Sequence, residues 1–353
     1  MSFQLTIEPL GQTIEVEEGQ PLLDACLRAG VWLPHACCHG LCGTCKVQVV
    51  EGEFEHGEAS PFALMDFERE EGKCLACCAT LTADTVIEAE IDADPDALCL
   101  PLQDFSAIVS RIEQLTPTIK GVFLTLDGDA PLRFQPGQCV NLWVGSEPQP
   151  RAFSIASAPS AGEIELNIRL VPGGKVTGYI HEQLKEGERV ELSGPLGRFF
   201  VRKSDTKPLL FMAGGSGLSS PRSMILDLLE EGDTRPITLI QGARTATELY
   251  YREAFEQLAE AYPNFRYLPV LSSEPEGSDW SGERGYIHDL AARLYDKDFR
   301  GWRAYLCGPP PMIESCIGTL MQGRLFEKDI FTEKFLSASD ANSAVRSPLF
   351  RNV

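Results

Sequence analysis

Four thiols pose the first chemical question. Cys37, Cys42 and Cys45 are spaced C-x4-C-x2-C, and Cys77 stands in L-A-C-C after a gap. That is the ligand spacing of a plant-type [2Fe–2S] cluster, a centre that moves single electrons and makes no bonds. Gly40 and Gly43 supply the backbone freedom a loop needs to wrap such a cluster. Two other metal readings stand beside this one. Cys42-x2-Cys45 and Cys74-x2-Cys77 form two C-x2-C pairs that would suit zinc, but Cys37 would then be unused. Cys37-x-His39 hints at a Rieske centre, yet no C-x-x-H follows, so His35 and His39 read as supporting or surface residues.

Five further strings bear polar groups with a use. Arg151-Ala152-Phe153-Ser154 sets a cation, a ring and a hydroxyl on one strand, able to meet a flavin's pyrophosphate, ring face and N5 edge. Gly174-x-x-Thr177 offers N–H groups and a hydroxyl to phosphate. Gly214-Gly215-Ser216-Gly217, between an apolar run and a helical stretch, has the context of an anion site for a dinucleotide, with Ser220 where a third small residue is expected. Cys307, before Gly308-Pro309-Pro310, falls at the end of another apolar strand, where the prolines predict a turn. Arg244, ending Gln241-Gly242-Ala243-Arg244, could meet a 2′-phosphate, so NADH and NADPH both stay open.

The elements that would position these residues change character along the chain. Residues 1–98 alternate as short strands at Phe3–Ile7, Thr13–Val16, Lys46–Val50 and Ile87–Ile91, with a helical face at Leu22–Ala29 and a second helix opened by Ser60-Pro61 and closed near Gly72. They predict a β-grasp domain, followed by a linker rich in acids and proline over 92–104. Residues 99–205 carry strands at Gly121–Leu126, Cys139–Val144, Ile164–Leu170 and Arg189–Leu192, and Gly194–Gly197 reads as a turn, which predicts an antiparallel barrel. Residues 206–336 alternate buried strands (Leu209–Ala213, Ile237–Gln241, Phe265–Val270, Ala304–Cys307) with helical stretches, including Met224–Leu229 after a glycine-rich turn at Gly214–Pro221. That pattern predicts a doubly wound parallel sheet. Residues 337–353 form a tail without periodicity.

At 353 residues the chain suits more than one domain, and its formal charge of −20 makes nucleic acid or an anionic membrane a poor partner. Residues 1–99 hold 19 acids against Arg28, Lys46, Arg69 and Lys73, so the first part alone carries −15. An acidic module of this kind can be steered onto a basic partner. Nine of the twelve cysteines precede residue 100 and no signal segment opens the chain, which favours reduced, metal-binding thiols in the cytoplasm. A redox sensor working through Cys38 or Cys78 is the alternative from another class.

Taken together, these motifs resemble the ferredoxin–NAD(P)H reductase family in its three-part form, with an N-terminal plant-type ferredoxin domain. The strings G-E-A-S-P-F-A-L-M-D, A-G-G-S-G-L-S-S-P, A-Y-L-C-G-P-P-P-M-I and L-M-Q-G-R-L-F look most like the reductase components of multicomponent phenol hydroxylases. The resemblance implies Cys37, Cys42, Cys45 and Cys77 on the cluster. It implies Arg151, Ala152, Phe153, Ser154 and Gly174-Lys175-Val176-Thr177 on FAD, and Gly214–Gly217 with Cys307, Gly308, Pro309 and Pro310 on NADH or NADPH. Glu333 and Phe335 in T-E-K-F match an acid and an aromatic that relatives place near the flavin, and Cys38 stands where such cluster loops carry glycine. The resemblance further implies hydride transfer to FAD, with Ser154, Cys307 and Glu333 at the reacting atoms. Single electrons then pass through the cluster to a diiron oxygenase of an aromatic monooxygenase, or to a related hydrocarbon monooxygenase or dioxygenase.

Overall fold

The computed structural model describes residues 1–335 apart from 36, 37, 39, 42, 92, 93, 129 and 148. Cys37, Cys42, His39 and the 337–353 tail therefore lie outside the described residues. The chain divides into two compact units that meet at Gln103 and Asp104.

In the first unit, β1 (Ser2–Glu8) and β2 (Gln12–Glu17) form a hairpin, followed by α1 (Leu22–Arg28), β3 (Lys46–Glu51), β4 (Phe54–Glu55) and α2 (Asp66–Glu70). Next come β5 (Lys73–Leu75), β6 (Thr80–Leu81) and β7 (Thr85–Glu88). The five-stranded sheet runs β2-β1-β7-β3-β5, with β1 and β7 parallel at its centre. Alternation works as expected: Leu5, Ile7, Ile14 and Val16 face inward and meet Leu22, Leu23 and Cys26 of α1 in one core. Two sequence expectations change here. Ser60-Pro61 opens only a single turn, in which Leu64 N–H bonds the Ser60 carbonyl; α2 begins at Asp66, with the Glu68 carboxylate accepting from Met65 N–H at 3.0 Å. The last strand stops at Glu88, short of Ile91.

The second unit opens with a six-stranded sheet: β8 (Gln103–Thr116), β9 (Ile119–Leu126), β10 (Cys139–Trp143), β11 (Arg151–Ser154), β12 (Ile164–Arg169) and β13 (Arg189–Leu196), in the order β11-β10-β13-β8-β9-β12. A bridge between Ile155 and Leu166 joins the two outer strands and closes the barrel. Helix α3 (Lys175–Glu182) buries Val176 and Ile180 in the barrel core. Gly194–Leu196 continue β13 rather than turn, because Leu196 and Ser193 pair with β10.

A second six-stranded sheet follows, wholly parallel, built from β14 (Leu209–Gly214), β15 (Ile237–Ala243), β16 (Phe265–Leu271), β17 (Glu283–Arg284), β18 (Arg303–Gly308) and β19 (Ile330–Lys334). Its order, β17-β16-β15-β14-β18-β19, reverses between β14 and β18. Connecting helices are α4 (Ser219–Glu230), α5 (Arg252–Ala261), α6 (Ile287–Leu294) and α7 (Pro310–Gln322). Here the glycine-rich string is shorter as a turn than expected. Gly215–Leu218 form one 3-10 turn and α4 starts at Ser219, so Pro221 lies inside its first turn, where the N–H it lacks would have had no partner. Pro310 likewise begins α7 instead of denying it. Among the described residues, no helix is long and apolar enough to cross a membrane.

Candidate functional site

Within the first unit, the register of β3 against β5 pairs Lys46 with Leu75 and so brings Cys45 opposite Ala76, the residue before Cys77. Ala76 N–H bonds the Cys45 carbonyl at 2.9 Å. Cys45 is buried and Cys77 half-buried. Cys38 is exposed with φ of 56°, a left-handed conformation that favours the glycine expected there. Gly40 lies so close to its surroundings that a Cβ would come within 2.8 Å of the Glu58 carbonyl, which holds the cysteine loop against segment 57–60. Cys74, needed for the zinc reading, sits fully buried in the hydrophobic core. Burial pushes its thiol up to about 12. Two cysteines on adjoining segments beside a glycine-bent loop fit the iron–sulfur reading.

Within the second unit, the expected flavin strand β11 is an outer strand whose Arg151 and Ala152 are exposed, Phe153 half-buried and Ser154 buried. Arg151 donates to its neighbour's carbonyl, Pro150, at 2.8 Å. Gly174 precedes α3, so the N–H groups of Lys175, Val176 and Thr177 open a helix, where an anion is favoured. The Thr177 hydroxyl is used differently from the expectation: it accepts from Val171 N–H at 3.1 Å and closes its own loop. The exposed cation, the open N–H groups and the ring of Phe153 fit a flavin with its pyrophosphate.

At the strand-order reversal, Gly214 and Gly308 end adjacent strands. A Cβ on Gly308 would lie 3.0 Å from the Gly214 carbonyl, so the floor of this crevice admits no side chain. A Cβ on Gly217 would come to 2.4 Å from the Cys307 carbonyl. Glycine at 217 therefore serves backbone packing, letting the start of α4 sit directly over the end of β18. Crevices of this kind at the carboxyl ends of parallel strands take dinucleotides. Pro309 and Pro310 lead into α7 beside it, and Arg244 is exposed after the end of β15.

Three residues from distant parts of the sequence converge here. Cys307 on β18 and Glu333 on β19 are register partners, and the Cys307 thiol donates to Glu333 Oε2 at 3.3 Å. Ser154 Oγ, at the end of β11, donates to the same oxygen at 3.2 Å. Ser220 Oγ, which sequence reasoning weighed only for its size, donates to it at 2.6 Å. Surrounding protein raises the Glu333 carboxyl above its ordinary range, opposed by hydrogen bonds from Ser220, Cys307 and Ser154. Burial, then the neighbouring carboxylate, pushes the Cys307 thiol far up, so it acts as a neutral donor. Phe335 follows, its N–H bonded to the Gly308 carbonyl at 3.1 Å.

A second buried network spans barrel and parallel sheet. Glu165 of β12 accepts from Arg222 Nη1 of α4 at 2.8 Å, from Asn167 Nδ2 at 2.7 Å, and from the Tyr251 hydroxyl. Arg222 also donates to the Ala156 carbonyl at 2.6 Å and lies 4.3 Å over the Tyr251 ring. Ser223 Oγ donates to the Ser157 carbonyl at 2.6 Å. No sequence pattern announced this clamp, whose members lie far apart along the chain.

Comparison with known proteins agrees with the geometry. Residues 5–82 match the 2Fe-2S iron-sulfur cluster binding domain, 106–201 the oxidoreductase FAD-binding domain and 211–317 the oxidoreductase NAD-binding domain. These define the class: an oxidoreductase that takes electrons from a nicotinamide dinucleotide through FAD to a [2Fe–2S] centre. The reductase component of phenol 2-monooxygenase from Pseudomonas sp. (strain CF600) is 58% identical, with all of both chains covered. The phenol hydroxylase P5 protein of Acinetobacter pittii (strain PHEA-2) is 57% identical over the same full coverage. The crystal structure of an Amycolatopsis cytochrome P450 reductase superposes with a TM-score of 0.85 at 36% identity, covering 94% of this chain and 98% of that one. The chain belongs to the family of phenol hydroxylase reductase components.

Proposed function

We propose that the chain serves a phenol-hydroxylating monooxygenase, receiving a hydride from NADH or NADPH and delivering single electrons to a diiron oxygenase component that it docks only transiently in the cytoplasm. The observation that carries this reading is the meeting of Ser154, Cys307 and Glu333 on one carboxylate oxygen where barrel and crevice adjoin. Sequence identity supports the choice of system: it falls to 36% for an aromatic O-demethylase reductase and 33% for a propane 2-monooxygenase reductase.

FAD, when bound, accepts the hydride pair and releases electrons singly. Arg151 and the N–H groups opening α3 hold its pyrophosphate, and Phe153 and Phe335 pack its rings. Ser154 orients the flavin's reacting edge. The Gly214–Gly217 turn and Cys307–Pro310 receive the dinucleotide, with the neutral Cys307 thiol orienting the nicotinamide. Glu333 keeps a proton within reach of both hydroxyls. Cys37, Cys42, Cys45 and Cys77 bind the cluster. In this reading the functional parts are 1–98, 99–205 and 206–336, with 337–353 as a tail.

Purified protein, mixed in air-saturated buffer with NADH, a phenol-hydroxylase oxygenase component and phenol, should support catechol formation that depends on each of these additions and on O2, one oxygen atom entering catechol and the other leaving as water. Rapid cytochrome c reduction without any hydroxylation by that oxygenase would sink the assignment of partner while keeping the reductase.

A further inference from the structure

The two adjacent serines that open α4 face in different directions. Ser219 Oγ turns back on its own loop and donates to the Ser216 carbonyl at 2.9 Å, which is what a serine at a helix start ordinarily does. Ser220 Oγ instead crosses to β19 and meets Glu333 Oε2 at 2.6 Å. It is fully buried, and so are Cys307 beneath it and, almost wholly, Ser154 opposite. Its bond is the shortest of the three on that oxygen, against 3.2 Å from Ser154 and 3.3 Å from Cys307.

We propose that Ser220 is a positioning residue of the hydride site: its hydroxyl fixes the rotamer of Glu333, and through it the reach of that carboxyl toward Ser154 and Cys307. The arrangement follows from the backbone. Glycine at 217 lets the start of α4 settle onto the carbonyl of Cys307, and this places residue 220 over the strand that carries Glu333. A serine there can donate to the ionised carboxylate or accept from the neutral acid, so the contact survives either protonation state. Without it, Glu333 keeps only the two longer contacts and gains freedom to rotate away. The groups facing the carboxyl are Ser154 of β11, Ser220 of α4 and Cys307 of β18; none carries charge, so the hydrogen bonds set its protonation against burial.

The inference rests on the proposed role of Glu333, and the test separates the two. In the FAD-loaded protein, the carboxyl C=O stretch of Glu333, assigned by its loss in Glu333→Gln, is followed against pH by infrared difference spectroscopy. The pH dependence of flavin reduction by NADH is followed by stopped flow. Removing a donor to a carboxylate should move the infrared midpoint up by about one pH unit in Ser220→Ala, and slow flavin reduction about tenfold with little change in the NADH concentration needed for half-saturation. Ser220→Thr, which keeps the hydroxyl, should restore both. An infrared midpoint unmoved in Ser220→Ala overturns the proposal. A midpoint that moves while the rate–pH profile stays put overturns the role of Glu333 in hydride transfer on which it rests.

Discussion

Arg222 of α4 and Glu165 of β12 form an ion pair, 2.8 Å from Nη1 to Oε2, in which the carboxylate side chain is only 5% exposed. Each charge has further partners, Asn167 and Tyr251 on the acid and the Ala156 carbonyl on the base, so the desolvation of both is compensated. Because one comes from the barrel and the other from a helix of the parallel-sheet part, the pair ties the two together.

Removing one member strands the other. Arg222→Ala should lower the stability of the second unit by about 3–5 kcal/mol, read as a shift in the urea midpoint with unchanged slope. Replacing both by apolar residues of similar volume should recover much of that loss. A double replacement whose cost equals the sum of the two single ones would show that the charges are not coupled.

Glu333 makes stability depend on pH with a definite sign. Its folded-state carboxyl titrates above the usual 4.5, so its contribution is fully present below that value and is lost as pH rises through the raised one. Glu333→Gln, always neutral, should therefore gain thermal stability relative to the parent as pH climbs across that window, and the two should differ least in acid. A constant difference at every pH would contradict the burial of this acid.

Cys307 and Gly217 test the crevice from opposite sides. Cys307→Ala should slow flavin reduction by NADH while leaving the iron–sulfur absorption spectrum intact. Gly217→Ala drives a methyl into the Cys307 carbonyl, so backbone must shift, and an overpacking cost of about 1–3 kcal/mol with weakened dinucleotide binding is expected. Calorimetric titration with NAD+ reads the second effect; unchanged affinity would mean the turn has slack.

Charge predicts kinetics with the partner. With −15 on residues 1–99, association with an oxygenase should slow as ionic strength rises, while the reduction of flavin inside the chain stays level. Stopped-flow cluster reoxidation by the oxygenase at low and high salt measures it, and salt-independent reoxidation would remove steering.

Much of this was legible from local pattern. Alternation at Leu5, Ile7, Ile14 and Val16 marked the first hairpin, and largely apolar runs marked β14, β15, β16 and β18, because central parallel strands bury both faces. Helix starts were harder. Ser219-Ser220-Pro221 and Pro309-Pro310 look like turns, yet the first turn of a helix has no use for those N–H groups and tolerates proline. Strand β8 was missed because Ile108 breaks the alternation of Phe105, Ala107 and Val109 and Arg111 and Glu113 follow closely, and β19 because five residues of mixed polarity carry little period. Glu333 came only through family likeness. Ser220 and the Glu165–Arg222 pair came through neither route, since contacts between residues 113 and 57 positions apart leave no trace in local spacing.

Strand β19 enters the sheet beside β18 after every other described strand has been laid down in chain order. The three donors, Ser154, Ser220 and Cys307, precede Glu333 in the chain, so the convergence waits on the strand that comes last in order among those described. A single edge strand thus closes contacts drawn from three other elements, and its docking is the step on which their common geometry depends.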